Sequence, residues 1–123
     1  MEQKYIVGDI VMYDNKIMVV KEPRDGSHFD LSCPKEGLVY CLVDIDEIKP
    51  VSLTQELLEK NGWVKDKEGY INDSYHLHLC GKYDGYSVYK VVNDNVVWLT
   101  GVRNVSDLQH LLFGLGINHE MEV

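Results

Sequence analysis

Three observations predict an α+β fold. Short apolar runs recur along the chain, separated by residues suited to tight turns, such as Asp14-Asn15, Asp25-Gly26 and Asp84-Gly85. Only two segments combine a helix-start signal with helical apolar spacing, one opening at Thr54 and one at Asn104. The length of 123 residues, 45% hydrophobic and 26% charged, is one domain's worth and can build a core without disulfide or metal staples. The expected architecture is a small N-terminal curled antiparallel sheet of four or five strands, SH3-like, followed by a short helix. A three-stranded antiparallel meander and a C-terminal packing helix complete it. Residues 1–123 form a single domain, and a subdomain seam, if there is one, falls near Pro50.

The elements follow in order. "GDIVMYDNKIMVVKE" (Gly8 to Glu22) reads as a hairpin, because Asp14 and Asn15 tolerate the positive φ of a two-residue turn. "PRDGSH" reads as a loop, since Pro23 sets φ and Asp25-Gly26 permits a sharp bend. "HFDLSC" and "LVYCLV" are strands around a "PKEG" turn. In "TQELLEKN", Thr54 is the N-cap, with Glu56 in the first turn and Leu53 and Leu58 at staple spacing. Asn61-Gly62 ends that helix and lets Trp63 fold back onto Leu58.

After a charged loop, "KDKEG", come the strands "SYHLHLC", "YSVYKVV" and "VVWLT", joined by "GKYDG" and "NDN". The last helix, "NVSDLQHLLFGLG", is capped by Asn104 with Asp107 three residues on. Its apolar stripe is Val105, Leu108, Leu111, Leu112 and Leu115, and Gly114 and Gly116 end it.

Charge excludes some function classes. Twelve Lys and Arg against 20 Asp and Glu give a net charge of −8, which opposes nucleic-acid binding because affinity there comes from cations replacing counterions. A DNA-mimic surface would need a regular carboxylate stripe, and none is present; solubility is the simpler reading. "MEQKYIVGDIVMYD" has acidic residues inside its apolar run, unlike a signal peptide, and no stretch reaches the ~20 apolar residues of a membrane span. Cys33, Cys41 and Cys80 form no C-x-x-C pair, and an odd count without a secretion signal predicts reduced thiols in a cytoplasm.

The strand "SYHLHLC" (Ser74 to Cys80) carries the main candidate chemistry. His76, His78 and Cys80 alternate, so on one strand they share a face and are weak candidates for a metal site. Two registers are open. A five-residue "GKYDG" loop sets His78 opposite Val88 and His76 opposite Lys90, leaving Tyr75, Leu77, Leu79, Tyr89, Val91 and Trp98 as core. A tight Asp84-Gly85 turn flips the parity, joining the histidines to Tyr89, Val91 and Trp98. A lysine aimed into a core is costly, which favours the first register and no metal. His28, His119 and Cys33 could add ligands, but their spacing does not argue convergence.

Other groupings fall away. "SDLQH" (Ser106 to His110) keeps only the second histidine of a zinc-protease helix, so His110 reads as an outward-facing polar residue. "DIDE" (Asp44 to Glu47) reads as a solvated turn, and Tyr83, Tyr86 and Tyr89 as sheet aromatics rather than base-stacking groups. No glycine-rich phosphate loop and no nucleophile–base pattern occurs.

Three segments carry a resemblance: "GDIVMYDNKIMVV", "VSLTQELLEKNGW" and "VSDLQHLLFGLG". Leu53, Thr54, Glu56, Leu58, Lys60, Gly62 and Trp63 fit a middle pattern L-T-x-E-x-L-x-K-x-G-[FW], and Val105, Leu108, Gln109, Leu111 and Phe113 fit V-x-x-L-Q-x-L-x-F. In these, with an acidic tail at "EMEV", the chain resembles a group of short uncharacterised bacterial and phage proteins. The resemblance implies an accessory protein of a mobile element and no particular activity.

The expected function is a non-catalytic cytoplasmic module that binds an unidentified protein or associates with itself through an open sheet edge. No cofactor and no catalytic residue is expected. The rival is a metal-binding protein or metal-dependent enzyme using His76 and His78, and a further alternative is a nucleic-acid-binding or DNA-mimic protein.

Overall fold

The structure, a computed structural model, describes residues 5–82 and 85–122. Over these residues it is an α+β arrangement of two open antiparallel sheets and two α-helices. The first sheet contains β1 (Ile10–Tyr13), β2 (Lys16–Asp25), β3 (His28–Cys33), β4 (Leu38–Asp44) and β5 (Lys49–Pro50), in the order β4-β3-β2-β1-β5. A 3-10 turn at Ile45–Glu47 separates β4 from β5. Helix α1 (Gln55–Lys60) follows, and the second sheet then begins. It contains β6 (Val64–Lys65), β7 (Gly69–Asn72), β8 (Leu77–Lys82), β9 (Gly85–Val92) and β10 (Asn95–Val102), in the order β10-β9-β8-β7-β6. Helix α2 (Val105–Gly114) closes the chain. Neither sheet pairs its two border strands with each other, so the first sheet is open and five-stranded rather than an SH3-like barrel.

Local chemistry explains the elements the sequence exposes. Asp14 and Asn15 take φ of 52° and 59°, and Asn93 and Asp94 take 49° and 68°. These are the paired left-handed conformations that a two-residue hairpin with right-twisted strands needs. Thr54 Oγ1 accepts the Leu57 N–H at 3.2 Å, capping α1. Gly62, at φ 89°, lets the Trp63 N–H return to the Leu58 carbonyl at 3.0 Å. Asn104 Oδ1 accepts the Asp107 N–H at 2.9 Å, and Asp107 Oδ2 accepts the Arg103 N–H at 3.0 Å.

Other elements depart from expectation. Strand β2 runs through Pro23 to Asp25, where a loop is expected; Pro23 lies opposite Phe29, and the pairing with β3 slips on both sides of it, as suits a residue with no N–H to give the ladder. Strand β4 is bent at Leu42, which has φ 54°, and buried Asp30 holds that bend by accepting the Leu42 N–H at 3.0 Å. Asp30 Oδ2 also meets Arg24 Nη2 at 2.6 Å, and the guanidinium holds this carboxyl below the usual carboxylate range.

The expected three-stranded meander is the core of a five-stranded sheet. The "KDKEG" loop is the turn between β6 and β7, which pair at Val64↔Ile71. Gly69 is needed where β7 crosses β8, because a Cβ there would run into the Leu79 carbonyl oxygen. The favoured register is overturned: His78 lies opposite Tyr89, Leu79 opposite Val88 and Leu77 opposite Lys90. Lys82 pairs with Gly85, and residues 83 and 84 between them, including Tyr83, lie outside the described residues. Lys90 is tolerated on the core side because it sits near the strand end. Its stem lies opposite Leu77 and its ammonium reaches the Tyr75 carbonyl oxygen at 3.5 Å.

Three apolar clusters result. The first sheet curls over Val11, Met18, Val20, Phe29, Leu31 and Val43. The second sheet lays Tyr70, Leu77, Leu79 and Val88 against Leu58 and Trp63 from the α1 end and Leu108 and Leu112 of α2. Between the sheets, Ile10 packs with Val51 and Val105, flanked by Met12, Ile17 and Val19 from the other face of the β1–β2 hairpin. Leu115, expected in the apolar stripe of α2, is 37% exposed.

Gln109, fully buried, joins these parts. Its Oε1 accepts the Ile10 N–H at 2.8 Å, and its Nε2 donates to the Gly8 carbonyl at 2.8 Å and the His119 carbonyl at 3.0 Å. Replacing Gln109 by Leu leaves the buried Ile10 N–H and the part-buried Gly8 and His119 carbonyls without this partner. The expected loss, read by urea denaturation, is at least about 2 kcal/mol. A stability within a few tenths of wild type would show that the amide is not what joins the two sheets.

Candidate functional site

The sheet registers align one row of residues across all five strands of the second sheet. Val64 lies opposite Ile71, Ile71 opposite His78, His78 opposite Tyr89 and Tyr89 opposite Trp98. Directly opposed residues share a face, so this row is continuous. It lies on the face away from α1 and α2, since Leu77, Leu79 and Val88, at alternate positions, point to the core. Val96, two residues from Trp98 and opposite Val91, extends the same face. Val64, Val96 and Trp98 are 63%, 61% and 59% exposed, and Ile71, His78, Tyr89 and Val91 are half-buried.

A second row runs beside the first: Gly69 opposite Cys80, Cys80 opposite Ser87, Ser87 opposite Gly101. Small residues next to large ones leave a trough. An open depression of about 570 Å³ is lined there by Glu68, His78, Cys80, Gly81, Tyr89 and Val96. The Cys80 Sγ lies 3.8 Å from Glu68 Oε2.

The three residues singled out in "HLHLC" are only partly brought together. His78 and Cys80 share the outer face and line the depression. His76 does not join them: it has φ 56°, is exposed and belongs to the turn before β8, with its N–H on the Asp73 carbonyl and its carbonyl on the Val91 N–H. The alternation expected from Ser74 therefore starts only at Leu77. Among the described residues no three His, Cys, Asp or Glu side chains are arranged to hold a metal ion. Cys33 is buried in the first sheet's core, and His28 opens β3 with its Nδ1 3.1 Å from Asp25 Oδ1. Cys41 is exposed on β4.

His110 is not simply an outward polar residue. Its Nε2 lies 2.6 Å from Oδ2 of Asp9, a carboxylate with 0% exposure at the start of β1. The same Oδ2 accepts the Ile6 N–H at 2.9 Å, while Oδ1 is buried with no hydrogen-bond partner among the described residues. Burial raises the Asp9 carboxyl above its ordinary range, opposed by the Ile6 N–H and by His110. His119 supports the neighbouring backbone, with Nε2 on the Val7 carbonyl at 2.8 Å and its ring edge-on to Phe113. No sequence signal announces the Asp9–His110 pair, because its partners are 101 positions apart.

No family model, no curated protein and no solved structure matches this chain.

The Asp9 carboxyl gives a pH-dependent prediction. An acid whose folded pKa is raised binds its proton more tightly folded than unfolded. Its contribution is therefore present below the ordinary value of 3.8 and is lost as pH rises through the raised value. Asp9→Asn keeps an acceptor for Ile6 but has no charge to bury. Urea denaturation across this range should show the variant gaining on wild type as pH rises from 3.8. A difference between the two proteins that stays constant with pH contradicts this.

Proposed function

We propose that this chain is a non-catalytic protein-interaction module that docks another protein on the outer face of its second sheet. The observation that carries the reading is the row Val64–Ile71–His78–Tyr89–Trp98, which crosses all five strands on the face away from both helices. Contiguous apolar surface of this kind on a small protein marks an interaction site, whereas isolated exposed apolar residues do not. Its composition also fits. Tyrosine and tryptophan supply large, rigid contact area with a polar atom to place, and are enriched where binding energy concentrates.

The trough of Gly69, Cys80, Ser87 and Gly101 adds shape, since it can seat a ridge of partner side chains beside the Tyr89–Trp98 pair. The net charge of −8 discourages nucleic acid as the occupant. The resemblance to short bacterial and phage proteins is compatible with an accessory role in a mobile element, acting in the cytoplasm.

The double variant Trp98→Ser/Val96→Ser tests this reading. Both side chains face solvent, so stability should stay within about 0.5 kcal/mol of wild type. Partner capture from the host should fall at least about 30-fold, the size of a hot-spot loss. Capture of the same proteins by wild type and variant would sink the proposal.

A further inference from the structure

Each sheet has two border strands, and three of the four are protected. Strand β5 is two residues long and is Lys49–Pro50. Strand β6 is also two residues long and runs into Asp66, Lys67 and Glu68. Strand β4 is kinked at Leu42 by its positive φ. Short length, proline, charge and kinks are the usual means of preventing strand addition. Strand β10 differs. Its eight residues, "NVVWLTGV", carry no charge, one side pairs with β9, and the other side is unpaired among the described residues. Past the strand, Ser52 bridges Asn104.

The charges lie at its two ends. Asp94 precedes the strand and Arg103 follows it; both are exposed, and neither is in an ion pair among the described residues. When a strand pairs antiparallel with its own copy about a two-fold axis, its first residue meets the last residue of the copy. With Asn95 opposite Val102 of the copy, Asp94 falls opposite Arg103 of the copy, and the same pair repeats at the other end. Two chains of net charge −8 repel each other in general. Here they would meet along an uncharged strand bounded by two attractive pairs.

We infer that β10 is the seam of a two-fold symmetric dimer of this chain, its register set by Asp94 of each copy facing Arg103 of the other. The inference deepens the protein-docking reading above: a second copy joins the edge of the sheet whose outer face docks a partner. Trp98 and Leu99 then lie next to the axis, and the bulge between Trp98 and Thr100 lets both strands coil there together. Pairing makes one ten-stranded sheet and doubles the apolar row on its outer face.

Sedimentation of the intact chain over a wide concentration range should show dimers. The emission of exposed Trp98 should shift to the blue as they form, over a constant signal from buried Trp63. Arg103→Glu sets a second carboxylate against Asp94 at both ends and should weaken dimerisation at least about tenfold. The hydrogen bond from position 103 to Asp107 uses the backbone N–H and survives the change. Asp94→Asn, which keeps a residue suited to the positive φ at this turn, should weaken dimerisation less.

The decisive sample mixes Arg103→Glu with Asp94→Arg. Each alone places like charges together, whereas the mixture should form heterodimers, with circular dichroism confirming that both fold. A wild type that stays monomeric, or a dimer indifferent to the charge changes, overturns the inference. In the monomeric case, loss of a captured partner in Trp98→Ser/Val96→Ser leaves the docking face standing without the dimer seam. No loss in that variant removes both.

Discussion

The carboxamide of Gln109 is the interaction on which the arrangement depends. Two open sheets that share no strand need something to hold them in one position, and apolar contact at Ile10, Val51 and Val105 is not directional. An amide buried on α2 is directional. It accepts from Ile10 and donates to Gly8 and His119, so the first strand, the last helix and the C-terminal segment are fixed together. The desolvation cost of those backbone groups if left unpaired makes the alternatives unfavourable. Asp9–His110 lies beside this contact on both elements and adds a second, charge-sensitive one at the same junction. The C-terminal segment is held again at α1, where Asn61 exchanges hydrogen bonds with the Glu122 backbone at 2.7 and 2.9 Å.

This junction determines which surfaces are left over. Both helices are committed to the inner face of the second sheet, and α2 also meets the β1–β2 hairpin. Among the described residues there is no third α-helix to cover the outer face. An antiparallel sheet with one covered face normally makes the other polar. Here that face carries Val64, Ile71, Tyr89, Val91, Val96 and Trp98. The residues are apolar where sheet stability alone would accept lysine, threonine or glutamate, and this is what supports the proposed docking role.

Legibility in the sequence follows the range of the interactions. The Asp14-Asn15 turn, the Thr54 and Asn104 caps and the Gly62 helix end are readable, because each is a contact within a few residues. The β6–β7 pair is not, because a two-residue strand and "GYIN" after a charged loop offer too short an apolar pattern. His76 reads as a strand residue and is not one, for a related reason: alternation in sequence does not reveal that the backbone turns through a left-handed conformation there. Of the candidate site, His78 and Cys80 are legible as sharing a face, but their neighbours are not.

The pairing of β8 with β9 is the instructive case. From sequence, the penalty for aiming Lys90 at the core decides between the two registers, and it selects the wrong parity. The fold places Lys90 opposite Leu77, the first residue of β8, where its methylenes can cover Leu77 while the ammonium reaches the Tyr75 carbonyl. That relief depends on where the strand stops relative to its neighbours, which no local pattern encodes. By itself the sequence determined the class of the elements, their turns and caps, and an acidic surface, since these are set by residues adjacent along the chain. Tertiary structure alone decided the five-stranded row from Val64 to Trp98, the unpaired edge of β10 and the Asp9–His110 and Gln109 contacts. Each of these is a matter of register or of partners far apart in sequence, and many chain-distant atoms must be positioned together before any of them exists.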